Sequence, residues 1–270
     1  MKAGKMNAAN RATKGPPQGW QRFKLTVEYD GTAFCGWQRQ KNGFSVQEAL
    51  EQALEPMLQG RKATLHGSGR TDAGVHATGQ VGHFDAPAGR AAEVYMNALN
   101  ARTPRSLSIL ACEPVPAGFH SRYHAYRRSY QYHIITRPIP PAIERERVWH
   151  LTTPLDEHAM SRAGACLIGQ HDFSAFRAAA CQAKSPVKTM YEIQWLRNGD
   201  ALHLTISANA FLQHMVRNLV GSLVLVGKGE RPEGWIQQIL EAKNRVDAGP
   251  TAPAHALYLT EVCYPDPLPL

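Results

Sequence analysis

Val187-Lys188-Thr189-Met190-Tyr191-Glu192-Ile193-Gln194-Trp195-Leu196-Arg197 and Ala201-Leu202-His203-Leu204-Thr205-Ile206-Ser207-Ala208 are joined by Asn198-Gly199-Asp200. Two strand-like runs across such a turn form an antiparallel hairpin, because Asn, Gly and Asp tolerate the backbone angles of a tight reversal. Upstream of the hairpin, residues 126–136 make a strong strand, Pro138, Pro140 and Pro141 mark a loop, and residues 156–167 suit a helix. Downstream, a helix is expected from Phe211, another over 231–243, and a last strand over 256–264.

The first half has the same mixture. Residues 22–29 form a strand that ends at the turn pair Asp30-Gly31. Ser45 suits an N-cap, with Glu48 three residues on completing a capping box, and the helix is expected to reach about Leu58. A short strand at 64–66 precedes a glycine-rich loop. A strand at 80–84, a helix at 91–100 and a strand at 107–112 follow. This order is β-α-β-β-α-β, and the Pro-bearing stretch 113–118 is the candidate boundary after it. The expected class is α+β, with two similar halves of mainly antiparallel strands and helices sharing a cleft. The expected division is a disordered basic tail at 1–21, an N-terminal half at 22–117 and a C-terminal half at 118–270.

Of the 270 residues 43 % are hydrophobic, enough for a sizeable core. No apolar run approaches the roughly 18 residues of a membrane span, and no solenoid, collagen or coiled-coil repeat is visible. The formal charge is +8, but Lys2, Lys5, Arg11, Lys14, Arg22 and Lys24 all precede the first acid, Glu28. What remains is 24 basic against 22 acidic residues, so a nucleic-acid argument rests on where the basic side chains cluster. The five cysteines are widely spaced with no CxxC pair, which signals neither a disulfide framework nor a zinc knuckle. A reducing cytoplasm is the plain expectation.

Three segments could carry chemistry. His66-Gly67-Ser68-Gly69-Arg70-Thr71-Asp72-Ala73-Gly74-Val75-His76 crowds glycines, an Arg, an Asp and two His together. Glycine lets a backbone turn sharply and a ligand come close. A phosphate cradle fails because the Lys-Ser/Thr ending of a P-loop is absent. The segment suits a carboxylate, Asp72, presented as nucleophile or acid–base group, and it equally suits a tight structural turn with Arg70 and Asp72 ion-paired. Arg122-Tyr123-His124-Ala125-Tyr126-Arg127-Arg128-Ser129-Tyr130-Gln131-Tyr132-His133 contains no acid. Strand alternation puts Tyr126, Arg128, Tyr130 and Tyr132 on one face. Arginines interleaved with aromatics suit unstacked bases and phosphates, and an ordinary packed sheet face is the other reading. Six Arg against two Glu over 122–147 favour nucleic acid.

In the third segment Asn209 suits an N-cap, and Phe211, Met215, Leu219 and Leu223 form one apolar row of a helix. Leu212, Val216, Val220 and Val224 form a second row, leaving a narrow polar stripe of His214, Arg217, Asn218 and Gly221. A helix so apolar is buried. Its Arg217 then wants a carboxylate partner, for which Asp72 is a candidate, or reaches solvent at the helix edge. His171-Asp172-Phe173 is expected at a helix end or turn, and Gly36-Trp37-Gln38-Arg39-Gln40 in a loop with an exposed or surface-anchoring Trp. The scattered histidines lack zinc-ligand spacing.

Gly69-Arg70-Thr71-Asp72-Ala73-Gly74-Val75-His76 resembles the signature loop of the tRNA pseudouridine synthase A family. Glu28-Tyr29-Asp30-Gly31, Gly36-Trp37-Gln38-Arg39-Gln40, Phe119-His120-Ser121-Arg122, His171-Asp172-Phe173 and His214-Met215-Val216-Arg217-Asn218 resemble its other blocks in order, over about 23–264. The resemblance implies two ferredoxin-like or RRM-like subdomains around a catalytic cleft. It implies isomerisation of uridine to pseudouridine on the 3′ side of the tRNA anticodon stem-loop, at nucleotide positions 38–40, by a homodimer. No metal and no organic cofactor is implied. Asp72 matches the catalytic aspartate, Tyr130 the tyrosine that packs on the target base, and Arg217 the basic partner of the aspartate, with Arg70 in the same loop. Arg39, Arg122, Arg127, Arg128 and His214 are candidate RNA contacts. Gln213 stands where many relatives carry Arg, which bears on one phosphate contact. A non-catalytic RNA-binding module or tRNA chaperone would need only the Tyr–Arg strand, and a nuclease would pair Asp72 with His76.

Overall fold

The computed structural model describes residues 14–268. The expected tail over 1–21 lies outside them as far as residue 13. The chain forms two compact units, one running to Tyr126 and resumed from Thr260, the other spanning Arg127–Leu259. The class is α+β with mostly antiparallel pairing.

The first unit holds β1 (Trp20–Tyr29), α1 (Val46–Leu54), β2 (Leu65–Gly67), β3 (His76–Pro87), α2 (Ala92–Arg102) and β4 (Leu107–Val115). Its strands lie in the order β4-β1-β3, with β2 beside β3, all antiparallel. One face of β1 carries Phe23, Leu25, Val27 and Tyr29 into the core with Leu50, Leu54, Phe84, Tyr95 and Leu99. Ser45 caps α1, its Oγ accepting from the Glu48 N–H at 3.2 Å, while the Glu48 carboxylate turns to Arg39. β4 runs on through Pro114, opposite Phe23, because an edge strand has no outer neighbour to need the missing N–H.

On the other face Arg22 is 4 % exposed. It holds Asp85 through two nitrogens at 2.7 and 2.9 Å and donates to the carbonyls of Ala117, Phe119 and Lys14. A charge can stay buried only when paired and hydrogen-bonded like this.

The second unit holds β5 (Arg127–Thr136), β6 (Trp149–Leu151), α3 (Glu157–Gly164), β7 (Gly169–Asp172), β8 (Val187–Asn198), β9 (Ala201–Ala208), α4 (Met215–Gly227) and α5 (Trp235–Ala242). Its strands lie in the order β5-β9-β8-β7, antiparallel, and β6 adds a parallel pairing to β5. The hairpin forms as expected, Asn198 opposite Ala201, with Gly199 at φ +57°. β10 (Leu257–Cys263) is the last strand, and its residues from Thr260 belong to the first unit.

Two helix starts differ from expectation. Asn209 is no cap: its side chain accepts from the Thr189 N–H at 3.0 Å and so extends the β8–β9 ladder. α4 begins only after His214, which is left-handed at φ +62°. α5 begins at Trp235, since Pro232 and Gly234 hold the preceding turn out of the helix.

Candidate functional site

In the first unit the loop from Ser68 to Val75 leaves β2 and enters β3, and Asp72 sits within it, half-buried. Its glycines would leave it loose, but buried groups fasten both ends. Ser68 Oγ donates to Gln80 Oε1 at 2.6 Å, and Gln80 Nε2 donates to the Gly69 carbonyl at 3.1 Å. Thr71 is held twice: its Oγ1 lies 2.8 Å from the Tyr29 phenol, and its carbonyl accepts from the Trp37 N–H at 3.1 Å. After the aspartate, the Val75 N–H closes a turn on the Asp72 carbonyl with Gly74 at φ +78°. That positive angle is what a type II turn asks of its third residue. His76 Nδ1 accepts from the Gly31 N–H at 3.0 Å.

Gly36 has φ +105°, and a Cβ there would stand 2.6 Å from the Thr71 carbonyl oxygen. Trp37 is buried rather than exposed, because its indole lies flat against the Gly67 backbone and beside the Tyr29 ring. Arg70 is exposed and donates to Gln38 Oε1 at 3.1 Å. Gln38 passes the contact to Gln47, and Gln47 to Glu51, whose carboxylate also meets Arg39 at 3.1 Å. This relay, which sequence spacing does not reveal, sets the guanidinium of Arg70 against α1. Arg122 is exposed, its backbone N–H donating to His120 Nδ1.

In the second unit Arg128, Tyr130 and Tyr132 share one face of β5, as alternation requires, and all three are buried. Tyr130 meets the edge of Phe211 at 5.1 Å. Tyr132 is a core residue whose hydroxyl donates to the Pro253 carbonyl, and burial raises its pKa. Tyr126 precedes the strand and is exposed. Arg128 donates to the Asn209 carbonyl at 2.8 Å, while Arg127 on the opposite face pairs with Glu192 at 2.9 Å.

The polar stripe of α4 is a seam. The segment 249–252 lies against it, with Ala252 accepting from Arg217 Nε at 2.7 Å and donating its N–H back to the Arg217 carbonyl. Thr251 and Arg245 bond Asn218 Oδ1, and the Gly249 N–H meets Ser222 Oγ. Arg217 is half-buried and fixed at its root, and His214 stands one turn earlier in its strained left-handed conformation.

The first unit also gathers histidines far apart in sequence. His83 lies between His66 and His120, with ring centroids at 4.9 and 4.6 Å. Burial, then repulsion from His120, His66 and Arg22, lowers the pKa of His83 to about 2, and burial lowers that of His120 to about 4. Both are therefore neutral in the fold at pH 5 and protonated in the unfolded chain below about 6.5. Stability is full above pH 6.5 and is lost as pH falls toward the folded values, at about 1.4 kcal/mol per pH unit for His83 alone. Urea midpoints should fall steadily from pH 6.5 to 4.5, and His83→Asn should remove much of that slope. A midpoint flat over this range would contradict the linkage.

No helix of the described residues is long and apolar enough to cross a membrane. Among the described residues no group of three His, Cys, Asp or Glu could hold a metal ion. The family described as tRNA pseudouridine synthase matches residues 25–124 and 163–265. The chain is 47 % identical over 245 residues to tRNA pseudouridine synthase A of Rhodospirillum rubrum, covering 90 % of this chain and 88 % of that one. It is 47 % identical to the protein of the same name from Paramagnetospirillum magneticum, over 90 % and 95 % of the two chains. The corresponding protein of Rhodospirillum centenum is 48 % identical over 90 % of this chain and 100 % of its own. A family match in both units, with relatives nearly half identical along nine-tenths of the sequence, means that the chain belongs to the tRNA pseudouridine synthase family and so to the isomerases.

Proposed function

We propose that this protein isomerises uridine to pseudouridine in the anticodon stem-loop of tRNA, at nucleotide positions 38–40, with Asp72 as nucleophile. The observation that carries the reading is the fastening of the Asp72 loop: its glycines allow close approach, while Trp37 and Gln80 hold its backbone and Tyr29 holds the Thr71 hydroxyl. In the reaction the N1–C1′ bond breaks, the uracil turns over, C5 bonds to C1′, and the C5 hydrogen leaves as a proton while N1 gains one. The carboxylate adds to C1′ or to C6 and is regenerated. It must be ionised, and burying a carboxylate without a cation disfavours that form, which gives Arg217 its role. A base taken out of a stem costs a few kcal/mol. Stacking on Tyr130, at about 1–3 kcal/mol, and phosphate contacts from Arg70, Arg39, Arg122, Arg127, Arg128 and His214 offset it.

The same reading gives a homodimer working in the cytoplasm, without metal or organic cofactor, built from two ferredoxin-like subdomains. The β-α-β-β-α-β order of the first unit supports that last point. A nuclease using His76 is disfavoured, since that ring is 2 % exposed and its Nδ1 is occupied by Gly31. The test is unmodified tRNA carrying uridine tritiated at C5, incubated with protein alone. Tritium should pass into water while the tRNA stays intact on a gel. Bound tRNA with no release would make the chain an RNA-binding module, and strand cleavage would make it a nuclease.

A further inference from the structure

We propose that Tyr29 is a positioning residue for the reaction, its phenol holding Thr71 and, through that residue, the carboxylate of Asp72. This rests on Asp72 being the reacting group. The geometry is local to the first unit. Tyr29 closes β1 and is 2 % exposed, Thr71 is 7 % exposed, and their oxygens lie 2.8 Å apart. Burial pushes the Tyr29 pKa up to about 12, so the phenol keeps its proton at any working pH, and Gln80 is its second partner. The Thr71 carbonyl is tied to Trp37 as well, so the residue before the aspartate is fixed from both side chain and backbone.

The residues beyond these anchors explain why a strap is needed. Gly67, Gly69 and Gly74 surround the site, and a glycine-rich backbone samples many conformations. A reacting atom misplaced by about 1 Å can lose about a hundredfold in rate. Anchoring the residue next to Asp72 confines the carboxylate without occupying the space a nucleotide must enter. A hydroxyl pair does this without adding a charge beside the nucleophile. The contact lies between two buried protein groups and not against substrate, so its effect belongs in turnover and not in tRNA affinity.

Tyr29→Phe keeps the ring packed on Phe34 and Trp37 and removes one oxygen. Thr71→Val removes the other. Each should lower kcat by about tenfold to a hundredfold with KM for tRNA unchanged, and the double variant should be no slower than the worse single. Thr71→Ser, which restores the hydroxyl, should recover most of the loss seen in Thr71→Val. Urea unfolding of every variant, with Asp72→Asn beside them, separates the readings. Kcat within twofold of the parent in both singles, losses that multiply in the double variant, a loss carried in KM, or a loss that tracks the unfolded fraction would each overturn the positioning role. An active Asp72→Asn would instead remove the nucleophile assignment beneath it.

Discussion

If Asp72 is the nucleophile, Asp72→Asn should bind tRNA with little change and release tritium at least about 10⁴-fold more slowly than the parent, because removing the nucleophile leaves only binding and orientation to speed the reaction. The substitution is nearly isosteric and leaves the described backbone and side-chain fastenings of the loop in place. Its turn uses the Asp72 backbone carbonyl, and its anchors are Ser68, Gly69 and Thr71. The fold and the basic surface therefore persist, and filter binding of tRNA should show it. Release within tenfold of the parent would end the assignment. Equal loss of binding and release would make Asp72 a contact for RNA and not the reacting group.

Gly221→Ala should destabilise the second unit by about 3 kcal/mol or more, beyond the usual cost of overpacking. Helix propensity argues the other way, since alanine gains about 1 kcal/mol over glycine in a helix interior. Packing decides the sign. A Cβ on Gly221 would overlap the Pro250 carbonyl oxygen and lie 2.9 Å from the carbon behind it. Both are backbone atoms, so no rotamer change relieves the clash. The segment 249–252 must move off α4, taking with it the Ala252 contacts to Arg217 and the Thr251 contact to Asn218. A lower urea midpoint with weakened turnover among the molecules that remain folded is the expected result. A midpoint equal to or above that of the parent would show that the seam has slack.

The sequence was most legible where a local rule governs local structure. The 187–208 hairpin follows from its turn residues, and Ser45 from its capping chemistry. β6 and β7 escaped because three or four residues display little alternation; the equally short β2 was expected from its place before the glycine-rich loop. The start of α4 escaped because nothing in the residue type of His214 announces a left-handed backbone. At the site, the glycine and charge pattern singled out Asp72 and Arg70. The fastening of the loop by Tyr29, Trp37 and Gln80 was not legible, since these residues lie outside it in sequence and meet it through contacts that only the tertiary fold creates. Gly221 looked like part of a polar stripe, and its purpose became visible only with Pro250 beside it.

The first unit is interrupted in the chain: Thr260 and the residues after it return to it when the second unit has been passed. Gly79 lies against the Thr260 carbonyl, the Tyr126 N–H donates to the Cys263 carbonyl, and the Tyr264 hydroxyl donates to the Ser121 carbonyl. During synthesis, then, the half that begins first is the half that finishes last. All residues of the second unit have been made before the first unit receives its last segment, which fills a strand position in it. A message cut short just before codon 260 would keep every residue of the second unit and leave the first without its last segment.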